Sequence, residues 1–386
     1  IPGCHYIGSE LFKTCSYQNM RDIIRRDRNH PCVIAWELSL NETWWTDPDY
    51  TPTAVAIGHE EYPGDQCYVA GWKDGGMWGE PALYDIMIAT PTAGARTYPG
   101  PLPLIVSEYG HWEYGGNSST SDVHRKDGEA AMLQQVWNHQ EGHHLNRGLS
   151  NMCGDGVWVG FDYLAYESGV MDKLRLPKFS YYFFQSQRDP DVDLSYLGID
   201  SGPMVYIANY WTATSPTDVT VFSNCEQVRL YINDLLQDTR TPDSSYPTAN
   251  LLHPPFTFSD LTWQPGELKA EGLIDGKVVA THIVRTPGPA DSLFVKFDIT
   301  DVPANGSETI FVYASILDSS GTLVPDASNK VTFSVTGPGS LVSPATVNAE
   351  AGIATALIRV STQPGLITVT TTAPGLTPGE ASITTK

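Results

Sequence analysis

The chain has 386 residues, enough for two or three domains at roughly 150 residues each. Lys and Arg number 23 against 44 Asp and Glu, a formal charge of −21, which excludes partners that present phosphates, whether nucleic acid or an anionic membrane surface. No apolar run approaches the roughly 18 residues that a membrane-spanning helix needs, and 41% apolar with 11% aromatic residues is the composition of a folded chain.

Ser16 to Asn29 predicts a helix, with Tyr17, Met20, Ile23 and Ile24 at three- and four-residue spacing, Ser16 placed to cap it and His30-Pro31 to stop it. Cys32 to Ser39 is a nearly continuous apolar run, the pattern of a strand buried on both faces in a parallel sheet. Cys67–Trp72, Leu83–Ala89 and Leu104–Ser107 repeat it. A helix over Asp127–Leu145 presents Met132, Leu133, Val136 and Trp137 on one face, and Gly156–Phe161 is the fifth strand run. Residues 177–200 read as a helix and an acidic, turn-rich connection.

From Pro203 the period becomes two. Met204–Ile207, Asp218–Phe222, Gln227–Ile232, Gly266–Gly272 and Lys277–Val284 predict antiparallel strands, with Asn233-Asp234 and Asp275-Gly276 as turns. Thr286–Ala290 reads as a linker, after which Thr309–Ile316, Lys330–Val335, Ala354–Val360 and Leu366–Thr372 predict a second β-sandwich. The six Cys contain no C-x-x-C pair, so no zinc site or other metal is expected. Their spacing suggests buried thiols more than a disulfide framework, with a Cys4–Cys15 bridge left open. A start at Ile1 without a visible signal peptide reads as a processed chain or a fragment.

The chemistry-bearing residues concentrate early: eight of ten Trp and eight of ten His lie in the first 200 positions. Glu42 follows the first strand run and Glu108 the fourth, so both stand at the C-terminal ends of predicted parallel strands, where (β/α) barrels keep their functional side chains. Two carboxylates at one mouth are what glycosidic cleavage requires: one holds a proton for the leaving oxygen, the other attacks or activates water. Asn41, Tyr109, His111, Trp112, Trp158 and Asp162 supply the aromatic plates and polar groups that a sugar needs. Glu37, beside Trp36, reads as an interior mid-strand carboxylate, and His143-His144 as compensation of a helix dipole.

The segments RDRNHPCVIAWELSLNE, PLIVSEYGHW and GVWVGFDY resemble successive landmarks of glycoside hydrolase family 2. The resemblance implies that Asn41-Glu42 closes barrel strand four with Glu42 as general acid/base. It implies that Glu108, followed by Tyr109-Gly110-His111, closes strand seven as nucleophile, and that Trp158 lines the sugar subsite beside Asp162. The family carries Gly before its Asn-Glu pair, where this chain has Leu40. VFSNCEQVRLYIND and the stretch from Thr257 to Pro289 are similar to the sandwich that follows the barrel, and residues 291–386 to a bacterial immunoglobulin-like module.

The implied fold is multidomain: the C-terminal half of a (β/α)8 TIM barrel over 1–200, then two immunoglobulin-like β-sandwich domains over 201–290 and 291–386. The barrel strands and sandwich domains that precede strand four in the family are expected in the same polypeptide or supplied elsewhere, and a homo-oligomer is compatible with the sequence. The implied activity is that of a retaining exo-β-glycosidase, first a β-galactosidase, acting on an oligosaccharide without a cofactor, in a secreted or periplasmic setting. The alternatives are a β-glucuronidase or β-mannosidase, whose cation candidates for a glucuronidase are Lys73, Arg96, Arg125 and Lys126, and, in another class, an inactive fragment or a carbohydrate-binding and adhesion module.

Overall fold

Ser9 opens the first helix. Its hydroxyl accepts the Phe12 N–H, and α1 (Glu10–Asp27) runs from there, starting well before the Ser16 expected to cap it. Ser16 instead shares a hydrogen bond with the Tyr50 hydroxyl. The computed structural model describes residues 9–38, 49–62, 67–70, 86–89, 103–110, 120–163 and 166–386, and for Thr51, 67–70, 86–89, Ser107 and Glu108 it is the backbone that is described. The chain forms two compact units: residues 1–122, 137–160 and 246–251 make the first, and 123–136, 161–245 and 252–386 the second. Residues 161–200, grouped by sequence with the first segment, therefore pack in the second unit.

The first unit is built on one parallel sheet. Its strands are β1 (Ala35–Glu37), β2 (Cys67–Ala70), β3 (Ile86–Ala89), β4 (Leu104–Tyr109) and β5 (Met152–Val157), ordered β1-β2-β3-β4-β5 with every pair parallel. Each of the first four near-continuous apolar runs contains a strand, and β4 extends two residues past its run, to Tyr109. The expected fifth strand is displaced: it begins at Met152, not Gly156, because Asp155, which breaks the apolar pattern, is held inside by two polar side chains described below. The sequence missed α2 (Tyr50–Glu61), which fills the β1–β2 connection. Met20 and Ile24 of α1 pack with Ala54, Val55 and Ile57 of α2 and with Trp36 and Leu104 of the sheet. Ile23, expected on that face, is exposed, since the buried stripe centres on Met20 and Ile24. Beside the stripe, Arg21 and Arg25 clamp Glu61 at 2.6 Å each and hold its carboxyl below the usual range. Glu37 ends β1 and is exposed, which corrects its expected interior, mid-strand place.

The helix α3 (Glu129–Arg147) follows β4. Met132 and Val136 are buried as expected, but Trp137 is 43% exposed, because past Val136 the buried face is polar: Asn138, His139, His143 and Asn146 occupy it. From residue 161 the second unit runs through a looped stretch into α4 (Phe179–Ser186). It continues as a sandwich of β6 (Val205–Ile207), β7 (Val219–Ser223), β8 (Gln227–Ile232), β9 (Leu235–Arg240), β10 (Phe256–Phe258), β11 (Glu267–Ile274) and β12 (Lys277–Arg285).

The two antiparallel sheets, β10-β7-β6 and β12-β11-β8-β9, close on Trp211, Val221, Leu230, Phe256 and Leu268. Residues 290–385 form a second pair of four-stranded antiparallel sheets around Val295, Ile310, Phe333, Ile358 and Val369, with a strand over Ala290–Phe297 directly after the expected linker. Among the described residues no helix is long and apolar enough to cross a membrane. Of the cysteines whose side chains are described, Cys15, Cys32 and Cys153 are exposed and Cys225 is buried, against the expectation of buried thiols.

Candidate active site

Glu108 is the penultimate residue of β4, so its backbone stands at the C-terminal end of a strand flanked on both sides by parallel neighbours. Tyr109 pairs with Val157, and the Tyr109 carbonyl accepts the Trp158 N–H at 2.8 Å. The last residues of β4 and the first residue beyond β5 are thereby locked side by side. The structure brings together three expected site residues at one strand-end edge: Glu108, Tyr109 and Trp158.

Tyr109 is not an exposed plate. Its side chain is buried, with its ring stacked on that of His143 at a centroid distance of 6.4 Å and 14° between planes. Gly110 has φ +90, and a Cβ there would lie 2.5 Å from His139 Cδ2 and 3.3 Å from Val157 Cγ2. The position thus needs glycine both for its left-handed backbone and for the close approach of α3. His143 Nδ1 lies 2.7 Å from Asp155 Oδ2, and Asn146 Nδ2 donates to the same oxygen at 3.2 Å. His144 Nδ1 accepts the Asn250 N–H at 3.1 Å, and burial lowers its pKa. These two histidines therefore make specific tertiary bonds, which replaces the helix-dipole explanation.

Asp162 belongs to the second unit and has a structural occupation there. It is 7% exposed, its Oδ1 accepts from Lys178 Nζ at 2.8 Å and from Gly169 N–H at 2.9 Å, and Lys178 also donates to the Glu167 carbonyl at 2.7 Å. Burial pushes the Asp162 carboxyl up to about 6, with the Lys178 ammonium opposing, and burial pushes Lys178 down. Its Oδ1 is thereby engaged within its own loop. Arg125, a candidate partner for a sugar carboxylate, is likewise buried and paired with Asp172 at 3.4 Å.

Asn41, Glu42, His111 and Trp112 lie outside the described residues, as do Lys73 and Arg96. Glu42 follows β1 in the sequence, and β1 is three strands from β4 in the sheet. Among the described residues no group of three or more His, Cys, Asp or Glu is arranged to hold a metal ion. The sequence did not point to His139 or Asp155. The available signal was a helix whose apolar spacing stops at Val136 while buried-type His and Asn recur at three- and four-residue intervals.

Residues 293–382 match the model of glycoside hydrolase family 2 C-terminal domain 5, and residues 214–280 a domain of unknown function. A β-galactosidase of Thermoanaerobacter pseudethanolicus is 31% identical, over 95% of this chain and 50% of that protein. A β-glucuronidase of Formosa agariphila is 26% identical, over 96% of this chain and 39% of that protein. The crystal structure of a β-glycosidase from Bacteroides vulgatus superposes with a TM-score of 0.74 at 22% identity, over 95% of this chain and 53% of the other, so the two share a fold. The chain spans about half the length of these relatives or less. These likenesses are to glycoside hydrolase family 2, and they cover the C-terminal part of the proteins matched.

Proposed function

We propose that the protein carrying this chain is a retaining exo-β-glycosidase and that a terminal β-galactoside is its substrate. Glu108 attacks the anomeric carbon. Glu42 protonates the leaving oxygen, then takes the proton from the water that releases the sugar, with the two carboxylates about 5–5.5 Å apart in the assembled site. In this reading the five parallel strands are the second half of a (β/α)8 barrel, the two sandwiches are immunoglobulin-like, Trp158 with Asn41, His111 and Trp112 receives the sugar, and the enzyme is secreted or periplasmic. The observation that carries it is the placement of Glu108 at the C-terminal end of β4, next to Tyr109, whose carbonyl accepts the Trp158 N–H. Relatives named β-galactosidase and β-glucuronidase support the reaction class. The engagement of Arg125 with Asp172 removes one cation from those that a glucuronide carboxylate would need.

The decisive variant is Glu108→Gly. Turnover of nitrophenyl β-galactoside should vanish and return with added azide, which replaces the missing nucleophile. Hydrolysis persisting without azide would refute the assignment. A panel of β-galactoside, β-glucuronide and β-mannoside decides the sugar, and sugar binding without turnover of any of them would favour a binding module.

A further inference from the structure

Within the first unit, α3 turns a polar face inward. His139, His143 and Asn146 follow one another at four- and three-residue spacing and are all buried, where a helix laid on a sheet ordinarily carries Leu or Val. Buried polar groups cost free energy unless they are hydrogen-bonded, so the partners of this face matter. Here His143 and Asn146 meet on Asp155 of β5 at 2.7 and 3.2 Å. The His143 ring backs the Tyr109 ring, and His139 lies against Gly110 closely enough to exclude a Cβ. Through Tyr109 and Gly110, these contacts bear on the residues that flank Glu108 on its C-terminal side.

We propose that Asp155, His143 and His139 are positioning residues that fix the backbone of Glu108–Gly110 and so set the direction from which the Glu108 carboxylate attacks. The proposal rests on the glycosidase reading above. Asp155 orients the His143 ring, His143 supports Tyr109, and His139 sets the depth at which the chain leaves β4 through Gly110. None of the three reacts; each acts through Glu108.

The test uses two variants of the whole protein: Asp155→Asn, which keeps the shape and an acceptor, and His143→Leu/Asp155→Leu, which removes the pair together so that only the Asn146 amide loses its acceptor. The readouts are kcat, KM, melting temperature and the rate at which a 2-deoxy-2-fluoro-β-galactoside with a dinitrophenyl leaving group labels Glu108. Misplacing a reacting group by about 1 Å costs up to about 100-fold. The double variant should accordingly lose about tenfold or more in kcat and in labelling rate, with KM within about threefold. Asp155→Asn should show a smaller loss of the same kind at unchanged melting temperature, and it decides the question should the double variant not fold. Wild-type kcat and labelling rate in folded variants, even with a lowered melting temperature, would overturn the proposal, as would a loss confined to KM. A wild-type protein that is neither labelled nor active overturns the glycosidase reading itself, a result separable from the other two.

Discussion

Lys178 donates to Asp162 Oδ1 at 2.8 Å, and solvent reaches 0% of the lysine side chain and 5% of the aspartate. Removing one partner of such a pair strands the other in a site that cannot hydrate it. Lys178→Met should therefore destabilise the second unit by about 3–5 kcal/mol, while Asp162→Asn/Lys178→Met, which keeps an acceptor for Gly169 N–H, should cost markedly less. Denaturant unfolding of the single and double variants checks this. Simple additivity of the two single changes would mean that the pair is not coupled. The pH dependence has a definite sign. A carboxyl raised from 3.8 to about 6 binds more protons folded than unfolded across that window, so this group makes stability fall as pH rises through it.

Trp158 offers a second prediction, because its backbone and side chain have separable duties. The N–H holds β5 against Tyr109 and survives any substitution other than proline. Trp158→Ala should leave the sheet register intact, while the lost stacking surface, worth about 0.5–1.5 kcal/mol in aromatic pairs, lowers kcat/KM on the proposed galactoside by about tenfold at most. An unaltered kcat/KM would remove Trp158 from the sugar subsite.

His282 supplies a pH switch in stability. Its Nδ1 accepts the Ile207 N–H at 3.0 Å and its ring lies 4.7 Å from that of Tyr206; burial lowers its pKa from 6.5 to about 4. Between pH 4 and 6.5 the unfolded chain carries a proton on this ring that the folded chain refuses. The stabilisation is fully present above 6.5 and is lost as pH falls through the window. His282→Asn keeps an acceptor that does not titrate, so melting temperature plotted against pH should be flatter for the variant across this range. Parallel curves would contradict the assignment.

What was legible in the sequence follows from what each element rests on. The parallel strands announced themselves because burial on both faces demands runs such as Leu104–Val106, and the sandwich strands because one-sided burial demands alternation, as in β8 and β11. β9 escaped because it is an exposed edge strand of Leu-Leu-Gln-Asp-Thr-Arg with no inward stripe, and β10 because three residues make no pattern. The strand-end place of Glu108 was legible because it follows directly from the run Leu104–Ser107, whereas Trp158, expected inside the run Gly156–Phe161, stands one residue past β5. Asp155 and His143 were not legible, since their pairing joins a strand to a helix and no local pattern encodes it. The pairing of Asp162 with Lys178 was not legible for the same reason: the two stand sixteen residues apart and share no local pattern.

The hairpin turns give the last prediction, and there the local code was sufficient. Asn233 and Asp234 both hold positive φ, 47° and 64°, between the paired residues Ile232 and Leu235, as a two-residue turn that follows the strand twist requires. Asn233 adds tertiary bonds: its Oδ1 accepts the Glu267 N–H at 2.8 Å and its Nδ2 donates to the Pro265 carbonyl at 3.1 Å. Asn233→Ala loses both bonds and places a residue ill-suited to left-handed backbone, for a combined cost of about 2 kcal/mol. Asn233→Gly loses the bonds but relieves the backbone, so it should cost only about half as much. Equal losses in thermal unfolding would assign the whole effect to the side-chain bonds, and a harmless Asn233→Gly would assign it to the backbone alone.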